Sequence, residues 1–183
     1  MPRISPLAAD DGDAETQMTL SAVKAKLGMV PNLFATFAHA PAVLNGYLAL
    51  SDQLGKGRLS ARQREIIALA VAQTNACQYC LSAHTALGKS VGLSDSAVLD
   101  ARAGKAADAL DQALAMLAQR IVHQRGVLTD QEVAAARSAG ISDELLLEVI
   151  ANVALNVLTN YTNHIAATDV DFPAVPTAMQ QAA

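Results

Sequence analysis

Residues 65–84 read EIIALAVAQTNACQYCLSAH, and the reading of this stretch decides the fold. Just ahead of it, Ser60 and Gln63 have the spacing of a capping box, in which two side chains satisfy each other's free backbone N–H groups at a helix start. The apolar run Ile66–Ala72 lacks the β-branched alternation of a strand, so it predicts a buried helix. Gln73–Asn75 are small polar residues on which that helix can stop, and Asn75 is a good N-cap for a second one. On that second helix Cys77, Cys80 and His84 stand at i, i+3 and i+7, so their side chains share a face.

Outward from this centre the same grammar repeats. Thr129 and Glu132 form a second capping-box pair, and Gly88, Gly92, Gly104, Gly126 and Gly140 punctuate the helices between. Upstream, Gly28 suits a helix C-cap, Pro31 sits early in a short helix, and Pro41 opens another that ends at Gly55 and Gly57. From Ile141 the residues Leu145, Val149, Ile150, Val153 and Val157 mark the core face of a further helix. No strand pattern appears, so the expected fold is all-α. Residues 1–15, with prolines and acids but no period, are expected to form an extended arm. A single helical domain then spans 16–172, with its core at 57–92, and the tail 173–183 is expected to be loose or to lie on a neighbouring subunit.

A shift of 83 residues lays Gly57 on Gly140, Glu65 on Glu148, Cys77 on Asn160 and Cys80 on Asn163, which reads either as a degenerate internal duplication or as two alanine-rich helices aligning by chance. Glu148, Asn152, Asn156, Asn160 and His164 recur every four residues. Such a stripe drifts by about 40° a step, and it predicts a hydrogen-bonded seam, with part of it a candidate pocket lining. Phe34, Phe37 and Tyr47 are candidates for core or pocket wall.

The chain has 183 residues, 52% of them hydrophobic and only 16% charged, with 38 alanines. That excludes a disordered chain, and the aliphatic excess predicts surface hidden in a homo-oligomer. The net charge of −4 without a basic run argues against nucleic acid or an anionic membrane surface as partner. No uninterrupted apolar run approaches a membrane span, and the first residues lack the pattern of a signal peptide, so the expected location is the cytoplasm.

The two cysteines, three residues apart, close almost no chain loop, so they are read as redox or metal chemistry rather than as a staple. A thiolate in a first helical turn is favoured by the helix dipole, which points to Cys77, while His84 one turn beyond Cys80 can take that thiol's proton. Glu65, on the preceding helix, reaches the imidazole if the chain folds back near 73–75, and would orient it and raise its basicity. The set then reads as a dithiol with a proton relay: one thiolate attacks a peroxide oxygen or a disulfide sulfur, and the other thiol resolves the product.

In the frame E-x11-C-x2-C-x3-H, residues Glu65, Cys77, Cys80 and His84 resemble the core motif of the AhpD-like alkylhydroperoxidases, within the carboxymuconolactone decarboxylase family. The opening segment Gly28–Phe34 and the closing Asn163, His164, Asp171, Phe172 and Pro173 are similar to the peroxidase-related branch. The resemblance spans roughly 25–175. It implies an all-helical subunit in trimers or hexamers that reduces organic hydroperoxides without metal or prosthetic group, drawing electrons from a dithiol carrier protein or small thiol. Cys77 and Cys80 would be the redox pair, and Glu65 and His84 the relay. The better-studied hydroperoxidases often carry a His just before the second cysteine, where this chain has Tyr79. Two other readings stand beside this one. Two thiolates, an imidazole and a carboxylate could hold zinc in an interaction or redox-sensing module; alternatively, His84 and Glu65 could serve as acid and base on a small lactone.

Overall fold

The computed structural model describes residues 1–8 and 11–179. Among them are nine helices and no strand: α1 (Ala14–Leu27), α2 (Asn32–Phe37), α3 (Pro41–Leu54), α4 (Ala61–Thr74), α5 (Gln78–Ser90), α6 (Asp95–Arg102), α7 (Ala109–His123), α8 (Asp130–Ser138) and α9 (Asp143–Ala166). The fold over these residues is all-helical, as expected. Both capping boxes are formed, Ser60 with Gln63 at α4 and Thr129 with Glu132 at α8. Gly28 closes α1 with a left-handed φ of 79°, and Pro41 starts α3.

Helix α4 is the axle. Ile66, Ile67, Leu69 and Val71 are at most 1% exposed and pack among α6, α7 and α9 with Leu114, Ile141 and Val149. A second cluster joins Leu20, Leu33, Phe37 and Leu44 of α1–α3 to Tyr79, Cys80 and Leu81 of α5. The two clusters adjoin along the line where α5 leaves α4. At the other end of the α4–α5 pair Gly88 permits a close approach, since a Cβ on it would lie 2.8 Å from Leu93 and 3.8 Å from the Cβ of Glu65.

Two boundaries differ from the expected ones. Helix α1 begins at Ala14, inside the arm expected for 1–15, because Asp13 caps it by accepting from Thr16 N at 2.8 Å. The tail is not loose over its described part. Val175 N donates to Ser82 Oγ at 3.0 Å, and the buried Arg102 donates to Pro176 O at 2.8 Å, so residues 173–177 lie on their own chain. The rest of the expected tail, 180–183, falls outside the described residues. Helix α9 is continuous over 24 residues, whereas the segment it echoes breaks into α4 and α5, as expected.

By length and composition α9 is also apolar enough to cross a membrane, with a mean hydropathy of 1.3 over its best 18 residues. Interspersed asparagines hide this from a search for uninterrupted apolar runs. Here its inner face packs against α3, α4 and α7. That face carries buried Asn152, Asn156, Asn160 and Asn163.

Candidate active site

The break between α4 and α5 builds the site. Asn75 ends α4 as its C-cap, and Ala76 turns the chain with a left-handed φ of 51°, a conformation a β-carbon disfavours. Cys77 then caps α5, its Sγ accepting from Cys80 N at 3.4 Å. This corrects the expectation that Asn75 caps α5: the left-handed residue places the helix start two positions later, and the Asn75 side chain turns instead to donate to Asn160 Oδ1 at 2.8 Å. Cys77 is therefore outside the first turn, and Cys80 is inside it.

The two sulfurs lie 2.7 Å apart, both buried and both free thiols. The Cys77 S–H donates to Cys80, and this bond holds Cys80 down to about 7 against the opposing effect of burial. Charge on His84 and the amides of Asn163 and Asn160 act in the same direction. Cys77 moves strongly upward, because its proton is held by Cys80 and its surroundings are apolar. The electrostatics therefore separate two chemically identical groups into one thiolate and one thiol.

His84 Nδ1 lies 2.8 Å from Glu65 Oε2, so α5 does fold back on α4 as the relay requires. Burial opposes charge on the imidazole, yet the Glu65 carboxylate outweighs it and the His84 pKa rises above 6.5. The structure thus brings all four motif residues to one place, although Glu65 reaches the sulfurs only through His84. Among the described residues, no three of His, Cys, Asp or Glu are placed to hold a metal ion, so the tetrahedral set of the zinc reading is not assembled.

Two cavities meet at this point. One of about 120 Å³ exposes Cys80 and His84 and is walled by Leu33, Phe34, Tyr79 and Phe172. The other, about 270 Å³, reaches His84 and Glu65 past Lys26, Arg64 and Asn156. Phe34 and Tyr47, whose ring centroids are 5.5 Å apart, stand in the wall of both.

The Tyr79 ring walls the smaller cavity, but its hydroxyl is engaged outside the relay. Its hydroxyl accepts from Leu33 N at 3.2 Å, and its ring meets Phe172 edge-on at 5.8 Å, so it clasps α2 to the C-terminal segment. The neighbouring Asp171 helps by accepting from Asn32 N at 2.6 Å. The residues that motif reasoning left out of the site are Asn160 and Asn163, the latter donating to Cys80 Sγ at 3.3 Å. Their signal in the sequence was the polar interruption of an apolar helix. Asn152 and Asn156 of the same stripe line the larger cavity and also bond along the helix as a seam, Asn152 donating to Glu148 O and Asn156 to Asn152 O, while Glu148 accepts from Arg58 N and Leu59 N in the α3–α4 loop.

Residues 41–124 match the sequence model of the carboxymuconolactone decarboxylase family. Among solved structures, the chain is similar to a peroxidase-related protein from Silicibacter sp. TM1040, at 25% identity and a TM-score of 0.79 over 91% of each chain. It is also similar to an alkylhydroperoxidase AhpD core, a peroxidase-related protein from Ralstonia eutropha JMP134, at 23% identity and a TM-score of 0.81, covering 92% of this chain and 93% of that one. The debrominase Bmp8 shares the fold at 17% identity, with a TM-score of 0.77 over 92% and 91% of the two chains. No curated protein sequence matches. The family match spans α3 to α7, including the whole Cys77–His84 motif, and the structural matches extend over nine-tenths of the chain. The chain thus carries the sequence pattern of the carboxymuconolactone decarboxylase family over residues 41–124, and it has the AhpD-like fold.

Proposed function

We propose that the protein is a thiol-dependent peroxidase that reduces organic hydroperoxides through a Cys77/Cys80 dithiol–disulfide cycle. The observation that carries the reading is the pair of sulfurs at 2.7 Å, with Cys80 facing an apolar cavity that also exposes His84. The Cys80 thiolate attacks the terminal peroxide oxygen. An S–O bond forms, the O–O bond breaks, and the departing alkoxide takes a proton from the His84 imidazolium, which Glu65 stabilises. The Cys77 sulfur then attacks the sulfenic acid. The S–S bond forms, the S–O bond breaks, and the Cys77 proton leaves with the hydroxide as water. A disulfide of about 2.05 Å needs only a small approach of the two sulfurs.

An external dithiol protein or small thiol returns two electrons by thiol–disulfide exchange. A free dithiol suits a reducing compartment, and the cytoplasm is the location we assign. No metal or prosthetic group enters the cycle.

Self-association completes the proposal, in a trimer or hexamer. Leu147, Ile150, Ala154, Leu158, Tyr161 and Ile165 are all exposed on α9. Their spacing repeats after eleven residues, which keeps them on one face of a nearly straight helix. A second copy of α9 is the occupant that such a charge-free stripe matches.

The experiment is steady-state turnover of an alkyl hydroperoxide with a dithiol reductant. Cys77→Ser and Cys80→Ser are each expected to abolish it. Activity on a lactone that survives both substitutions would favour the acid–base reading of His84 and Glu65 instead.

A further inference from the structure

Two amides of α9 converge on the sulfur that the motif supplies from α5. Asn163 Nδ2 donates to Cys80 Sγ at 3.3 Å, and Asn160 is also near enough to favour the charged form of that thiol. Asn160 is wholly buried and Asn163 is 5% exposed, inside an otherwise apolar contact. The orientation of Asn160 is fixed from behind, because its Oδ1 is taken by the Asn75 amide at 2.8 Å. Its Nδ2 is left buried with no hydrogen-bond partner among the described residues, and so is Asn163 Oδ1. Buried amide groups ordinarily find partners, because desolvating them without one is costly. Amide hydrogens beside a sulfur are satisfied best when that sulfur carries charge.

We infer that Asn160 and Asn163 form an amide cradle that holds Cys80 as a thiolate in the reduced protein, making α9 the element that sets the reactivity of the α5 thiol. Both are positioning residues, acting through Cys80 and not on substrate. The offset of 83 residues takes on a physical meaning here, since Cys80 and Asn163 are an offset pair that touch. Because the cradle favours the reduced, charged form over the disulfide, it also makes the disulfide the easier one to reduce. The inference rests on Cys80 being the attacking thiol, so its test must separate the two.

The test is thiolate absorbance at 240 nm against pH, in Cys77→Ser protein so that one thiol titrates, compared with the same protein carrying Asn163→Ala or Asn160→Ala. The introduced hydroxyl keeps a donor at Cys80 in place of the Cys77 S–H, and His84 and the two amides remain, so the parent is expected to titrate below the ordinary thiol value of about 8.5. Asn163→Ala should move the midpoint up by about one pH unit, a tenfold loss in the ionisation equilibrium. Asn163→Asp should move it further, by placing a second negative charge beside the sulfur. Asn163→Ser, which restores a donor, should recover part of the shift and carries the test if the alanine variant does not fold. The alkylation rate of Cys80 by iodoacetamide at pH 6 should fall in step.

A low parent midpoint that none of the folded variants moves would overturn the cradle and leave the proposed function standing. A parent midpoint near 8.5 would overturn both, since Cys80 would then not be an activated thiol.

Discussion

His84 Nδ1 stands 2.8 Å from Glu65 Oε2, tying α5 to α4 across a sequence separation of nineteen residues. The contact does two things at once. It holds the imidazole beside the dithiol, and it keeps a proton on it at a pH where a free histidine would be losing one.

A consequence is a pH-dependent share of stability. The folded pKa of His84 is raised, so its contribution is fully present below the unfolded value of about 6.5 and is lost as pH rises through the raised folded value. Measured by denaturant unfolding in a Cys80→Ser background, where no thiolate opposes the trend, Glu65→Gln should cost roughly 1–3 kcal/mol at pH 6. The difference should shrink towards pH 9. An equal cost at both pH values would mean that the contact is held by packing instead of charge.

The rate should follow the two groups in opposite senses. Cys80 must be ionised, so kcat/KM should rise through about pH 7. His84 must be protonated to release the alkoxide, so the rate should fall again above its raised pKa. Glu65→Gln should move this alkaline limb to lower pH and reduce the rate at pH 8 by about tenfold or more. A profile whose alkaline limb stays in place would remove Glu65 from the relay.

The two cysteines should fail differently. Cys77→Ser retains the attacking thiolate and lacks the resolving thiol, so one equivalent of hydroperoxide should leave a sulfenic acid at Cys80 that a dimedone probe labels. Cys80→Ser should give no label at Cys77, whose thiol is buried and opens on neither cavity. Labelling at Cys77 and none at Cys80 would reverse the two roles.

Tyr79 is expected to matter for the clasp and not for the relay. Tyr79→Phe removes the acceptor of Leu33 N and should lower stability by about 1 kcal/mol. Both midpoints of the pH–rate profile should stay where they are. A shifted midpoint would place the hydroxyl in the proton path, as a histidine at this position would be.

On the outer face of α9, Leu158→Lys puts a charge in the middle of the apolar stripe. The assembly should dissociate to a monomer by light scattering, with the helix content unchanged. A substitution that leaves the mass of the particle as it was would exclude this face as the contact.

Much of this was written in local sequence. The capping boxes at Ser60 and Thr129, the left-handed Gly28 and the proline at position 41 each act within a few residues, so the helices could be read without knowing their neighbours. The motif was legible for the same reason, since Cys77, Cys80 and His84 share one short segment and the chain's fold-back brings Glu65 to them. What escaped reading depends on long-range placement. Asn75 suited an N-cap, but a left-handed Ala76 shifted the helix start and turned the Asn75 side chain towards α9. The tail looked loose because proline and alanine carry no period; it is held by Arg102 and Ser82, which lie 74 and 93 residues away. Asn160 read as part of a seam and Asn163 only as the offset partner of Cys80, because nothing local says that a sulfur 83 residues earlier lies against Asn163.

The most direct test of the central claim counts thiols. The reduced protein, freed of reductant under anaerobic conditions, is mixed with one equivalent of an alkyl hydroperoxide and its free thiols are titrated before and within seconds after. A fall from two thiols per chain to none, reversed by dithiothreitol, is the predicted result. Two thiols that persist for minutes would contradict the peroxide-reducing cycle.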